Sequence, residues 1–109
     1  MFKNDNLKKL YLEKSDSVYN SYYKQYKASF VKQTDLPIFT SSNFNEKDRR
    51  FLSKTNCSKL KQPVKADEIP VAWYRGMNGF YPLFFREWEN TAENRKLLGY
   101  KDLNYSIVK

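Results

Sequence analysis

Between residues 73 and 88 the chain carries seven aromatic side chains: Trp73, Tyr74, Phe80, Tyr81, Phe84, Phe85 and Trp88. Two of its three glycines, Gly76 and Gly79, lie among them. Any fold of this chain must give those rings a surface. The gain from burying them is comparable with the backbone entropy lost in ordering the segment, so the segment does not hold itself in place. The rings need either the rest of the chain as a core or the surface of a partner. Both uses are open from the sequence.

The rest of the chain is short of aliphatic material. Leu, Ile and Val together number 18, against 19 Phe, Tyr and Trp, in a chain of 109 residues. Aromatic side chains are enriched where one protein meets another. A length of this kind supports one small domain with a modest core.

The net charge is +8, and it is uneven. Residues 1–75 hold 15 Lys and Arg against 8 Asp and Glu, while residues 76–109 hold 5 against 4. A basic half points to an acidic partner: nucleic acid, a membrane surface or an acidic protein. Its densest part is the segment 47–65, with Arg49, Arg50, Lys54, Lys59 and Lys61 and the rings of Phe44 and Phe51 nearby. Such a run suits a phosphate backbone or an acidic protein face. No apolar run reaches the roughly 20 residues of a membrane span.

Catalytic patterns are missing. The chain has no histidine, which removes a Ser–His–Asp triad and any His-ligated metal site. A single cysteine, Cys57, builds neither a zinc site nor an intramolecular disulfide, and suits a reducing, intracellular setting. Its Lys-rich surroundings predict a lowered thiol pKa. Gly76-Met77-Asn78-Gly79 does not match a phosphate loop. Asp48-Arg49-Arg50 reads as a phosphate clamp or, more simply, as a solvated helix face. Glu87 and Glu89 are two residues apart and do not face each other on a helix. The expectation is a protein with no enzymatic activity and no cofactor or metal.

Local patterns predict a mainly α fold. Leu7, Leu10, Tyr11, Val18, Tyr22 and Tyr26 recur at helical spacing, uninterrupted by Gly or Pro, which predicts one long helix over residues 5–31. Such a helix is roughly 40 Å long, longer than a compact domain of this size accommodates. Either it breaks near Ser15–Ser17 or the protein is elongated. The spacing of Asn43 and Glu46 suggests a second, short helix over 43–54. Residues 55–89 read as an extended aromatic and basic segment, with Pro63 and Pro70 restricting it. Asn90-Thr91-Ala92-Glu93 and Gly99 bracket a short helix over 90–98, whose start moves back if Pro82 lies in a first turn. Residues 99–109 form a tail. The predicted molecule is elongated, with extended irregular segments, and is not a compact globule.

The stretch 70–80 also resembles a short motif of the Piercer-type inner proteins of ciliary doublet microtubules. The resemblance rests on Pro70, Trp73, Tyr74, Asn78 and Phe80, with Thr55, Asn56 and Pro63 in similar places upstream. A Tyr-Gly element of that family has no counterpart here. The resemblance implies a non-catalytic structural subunit clamped onto the tubulin lattice of a cilium or axoneme. Pro70, Trp73, Tyr74, Asn78, Phe80, Tyr81 and Phe84 would then fill partner pockets, with Trp73 as chief anchor. The residue pattern equally suits an RNA-binding accessory subunit of a ribosome, mitochondrial ribosomes included. It also suits a supernumerary subunit of a respiratory complex.

Overall fold

The computed structural model describes residues 5–40, 42–43 and 50–99. Helix α1 spans Asp5–Glu13 and buries Leu7 and Tyr11, which lie one turn apart on the same side. It stops at Lys14, whose φ of +52° is left-handed. Lys14 N donates to Tyr11 O at 3.2 Å, and Ser15 N donates to Leu10 O at 3.5 Å. This is a helix-closing conformation that usually falls to glycine. Ser15, Asp16 and Ser17 follow, and short polar side chains favour turns over helix interiors.

The chain then forms a hairpin of β1 (Tyr19–Asn20) and β2 (Gln25–Tyr26), with Tyr19 opposite Tyr26. Helix α2 (Ala28–Gln33) comes next. The single helix expected over 5–31 is therefore three elements. Val18, Tyr22 and Tyr26 do recur at helical spacing, but Val and Tyr favour strands, and the polar Ser-Asp-Ser run ends the first helix. The break lies at the Ser15–Ser17 alternative. Without the long helix the elongated, mainly α reading fails. Among the described residues the fold is mixed α/β, with six strands and four short helices. Its radius of gyration is 14.2 Å, close to the roughly 13 Å of a compact chain of this length.

The centre is a hairpin of β5 (Ala72–Arg75) and β6 (Phe80–Phe85), in register from Ala72↔Leu83 to Arg75↔Phe80. Within the segment 55–89 read as extended, residues 72–75 and 80–85 are thus a sheet core, while 60–71 carry no helix or strand. Gly76 N donates to Gly79 O at 2.7 Å to close the turn. A Cβ on Gly76 would lie 2.6 Å from Tyr81 Cε2 and 2.7 Å from Gln25 Oε1, so a larger residue there would displace these two side chains. Strand β3 (Ile38–Phe39) pairs parallel to β5. On the other side, β6 is met twice along one edge. Strand β2 pairs at Tyr26↔Phe80, and β4 (Phe51–Leu52) pairs at Leu52↔Phe84 and Phe51↔Phe85.

Pro82 sits between those two attachments. Gly79 O and Leu83 O accept from β5-side amides, whereas Arg86 N donates to Arg50 O on the β4 side. By this alternation Pro82 directs its backbone nitrogen to the gap between β2 and β4. A central strand tolerates proline only where no partner needs the N–H. The reading of Pro82 as the start of a late helix is accordingly replaced by a strand position.

The helix expected over 43–54 falls partly on residues 44–49, outside the described residues. Within the rest, Phe51 and Leu52 are strand and Lys54 opens α3 (Lys54–Lys59). Ser53 caps α3, its Oγ accepting from Asn56 N at 3.2 Å. Asn43 Oδ1 instead accepts from Thr40 N at 2.6 Å. Helix α4 (Ala92–Leu97) lies inside 90–98, with Thr91 Oγ1 accepting from Asn94 N and Gly99 at φ +84°. Residues 100–109 of the tail lie outside the described residues.

Two apolar clusters hold these parts together. One joins Leu7 and Tyr11 of α1 to Val18, Tyr26, Phe30, Val31, Leu36 and Trp73. The other joins Leu52, Cys57, Phe84, Trp88 and Leu98, so that α3 and the end of α4 cover the far half of β6. Asn56 Nδ2 donates to Leu98 O at 3.1 Å and ties the two helices.

Candidate polyanion-binding cleft

The unpaired stretch of β6 opens into a cleft of about 980 Å³. One wall is the end of α1 and the β1–β2 hairpin, bringing Lys14, Tyr19 and Lys24. The opposite wall is the start of α3, with Ser53, Lys54, Thr55 and Asn56, and the connector at Val64, Lys65 and Ala66. Tyr74, Tyr81 and Pro82 form part of its floor. The β2–β6 pair Tyr26↔Phe80 brings the hairpin turn to this edge of β6, and Lys24 and Pro82 both line the cleft. Lys14, Lys24, Lys54 and Lys65 are all exposed.

Among the described lining residues the single acid is Glu68. It is already neutralised. Arg86 Nη1 donates to Glu68 Oε2 at 2.7 Å and Nη2 donates to Oε1 at 2.8 Å, a forked pair. The same guanidinium donates to the carbonyls of Gln62 at 2.8 Å and Pro63 at 3.2 Å, fixing the connector to β6. These hydrogen bonds hold the Glu68 carboxyl below its ordinary pKa and the Arg86 guanidinium above its own. Four lysines therefore line the cleft, and among its described lining residues the one carboxylate is already paired. A concave surface lined by one sign of charge raises the local concentration of the opposite sign.

The tyrosines around the cleft do different jobs. Tyr11 and Tyr26 stack at 4.9 Å with planes 20° apart, and Tyr26 OH donates to Tyr11 O at 3.4 Å. Burial pushes both hydroxyls far above the usual phenol range, so they stay neutral. Tyr81 OH accepts from Gln25 Nε2 at 2.9 Å, while Gln25 Oε1 accepts from Asn78 N at 3.1 Å. Gln25 thus bolts the hairpin to the β5–β6 turn. Lys14 Nζ lies 5.3 Å from the centre of the Tyr19 ring, within cation–π range.

The residues expected to meet a partner are scattered by the fold. Trp73 is wholly buried, and its Nε1 donates to Thr34 Oγ1 at 2.9 Å. Its ring meets Tyr11, Tyr26 and Phe30 within the chain's own core. A ring so enclosed fills no pocket elsewhere, and the anchor role passes from Trp73. Pro70 and Phe84 are also buried, and Phe80 packs against the first cluster. Tyr74 and Tyr81 do reach the cleft, and Asn78 is exposed on the β5–β6 turn.

Of the basic residues, Lys54 lines the cleft, whereas Lys59 and Lys61 lie at the other end of α3. Arg50 Nη1 is bound to Glu87 Oε1 at 3.0 Å, and its guanidinium carbon sits 4.9 Å from the Phe85 ring centre. Arg49 is outside the described residues. Cys57 is buried against Leu52 O, and burial raises its thiol pKa despite nearby Arg86. The lowered pKa expected from neighbouring lysines is corrected, because those lysines point to solvent.

Lys14 and Lys24 were hidden by the helical reading of 5–31. The signal that locates them is Ser-Asp-Ser followed by Val18-Tyr19-Asn20, a turn and then a strand-forming run. Among the described residues no helix is long and apolar enough to cross a membrane, and no cluster of His, Cys, Asp and Glu could hold a metal ion. Compared with protein-family models, curated proteins and solved structures, the chain matches none.

Proposed function

We propose that this protein is a non-catalytic binding module that holds a polyanionic partner in the cleft between the β1–β2 hairpin and α3. One observation carries the reading: Lys14, Lys24, Lys54 and Lys65 surround the cleft, while its one described acid, Glu68, is paired with Arg86. Such a module fits the expected role of a basic subunit in a larger intracellular assembly, with an RNA-containing one favoured by the concave shape. The tubulin-lattice expectation rested on the motif resemblance at residues 70–80, with an elongated helix and Trp73 as anchor in agreement; that helix is three elements and Trp73 lies in the core. That reading is not carried forward.

The test is binding to immobilised heparin across a salt series. Each phosphate or sulfate contact of a lysine adds roughly 0.7–0.9 to the slope of log affinity against log salt. The charge-matched variant Lys24→Glu/Lys54→Glu, at two cleft positions, is expected to lose most of the binding. The control Lys59→Glu/Lys61→Glu is expected to retain most of it. Equal loss from both variants would reduce the effect to net charge and overturn the site.

A further inference from the structure

We propose that the polyanion is a single-stranded nucleic acid, its phosphates on the four cleft lysines and its bases on the rings of Tyr22 and Tyr23. This inference rests on the polyanion reading above and goes further by naming the occupant. The turn that brings Lys24 into the cleft also carries these two tyrosines. Tyr22 is 84% exposed and Tyr23 45%, so neither ring serves the core.

The turn is nevertheless well built. Asn20 Oδ1 accepts from Tyr22 N at 3.0 Å and from Tyr23 N at 3.1 Å, and Lys24 N donates to Asn20 O at 2.7 Å. Lys24 itself takes a φ of +57°, a conformation that favours Gly or Asn. The two rings meet edge to face at 4.9 Å and 80°, so they do not cover each other by stacking. Large exposed rings on a hydrogen-bonded turn beside the cleft lysines match the two needs of a single strand, stacking surface and counter-charge.

Other polyanions use only half of this surface. An acidic peptide supplies carboxylates for the lysines but no flat base for the tyrosines. A duplex keeps its bases stacked on one another, which again leaves Tyr22 and Tyr23 idle. A single strand has exposed base faces at every nucleotide, and stacking on an aromatic ring is tolerant of sequence. Little sequence preference is therefore expected.

The probe is a fluorescently labelled oligouridine about 12 nucleotides long, followed by anisotropy, with poly-glutamate and a duplex as competitors. The double variant Tyr22→Ala/Tyr23→Ala should lose about tenfold or more in affinity for the strand. Its salt slope and its heparin affinity should stay as in the wild type, because the lysines remain. Circular dichroism should be unchanged, since both rings are exposed. Competition by poly-glutamate as strong as that by unlabelled strand, or a double variant that binds the strand within about twofold of wild type, would overturn the inference and point to an acidic protein partner. In that event heparin binding still stands for the broader reading. A wild type that binds neither heparin nor the strand would sink both.

Discussion

Trp73 lies where three aromatic rings and one hydroxyl meet, and it shows why single residues were hard to assign. Its neighbours in sequence, Tyr74 and Arg75, say nothing about Tyr11, Tyr26, Phe30 and Thr34, which enclose it from 39 or more positions away. A ring-rich segment reads alike whether the rings face inward or outward. Only the α1–hairpin–α2 arrangement settles it. The sequence did mark local chemistry around α4: a cap within residues 90–93, which the fold places at Thr91, and Gly99 as a stop. Trp73→Ala is expected to destabilise the free protein by about 3–5 kcal/mol, the range for emptying an aromatic core site. Trp73→Phe keeps most of the ring but loses the bond to Thr34, and should cost about 1–2 kcal/mol. Urea unfolding of both variants checks this order; a Trp73→Ala protein as stable as wild type would contradict the core placement.

Elements were legible where a cap and a stop bracketed a short run, as in α4, and illegible where spacing alone decided. The long-helix reading of 5–31 counted apolar positions and ignored that Val and Tyr are poor helix formers beside Ser, Asp and Asn. The sheet was missed because β1 to β4 are two residues long, too short to show alternation. Their pairing depends on β5 and β6, which supply the register. The connector 60–71 is likewise held from outside, by Arg86 on β6. Because folding lowers the Glu68 pKa, the pair stabilises the protein above the ordinary carboxylate range, and that contribution is lost as pH falls through the folded value. Glu68→Gln should therefore be less stable than wild type at neutral pH, and the difference should shrink toward zero in acid. Denaturant titrations at several pH values test the sign; a gap that widens on acidification would contradict it.

At the scale of the molecule, the chain measures 41 × 28 × 27 Å, and four of its lysines are brought to one cleft by folding rather than by sequence order. The run 47–65 was the visible basic feature, yet it disperses: Arg50 pairs with Glu87, Lys59 and Lys61 face away, and Lys54 and Lys65 join Lys14 and Lys24 from distant parts of the chain. The basic balance of the chain was readable from composition. The location of the cleft was not, because the cleft is made by the gap at Pro82, which exists only once β2 and β4 dock on the same edge of β6. The most direct measurement is an NMR titration of the labelled protein with the short single strand. The account predicts amide shifts at Lys14, residues 20–24, residues 53–56 and Lys65, with α4 and Lys59–Lys61 nearly still. Shifts centred on Lys59, Lys61 and α4, with the hairpin turn unmoved, would contradict it.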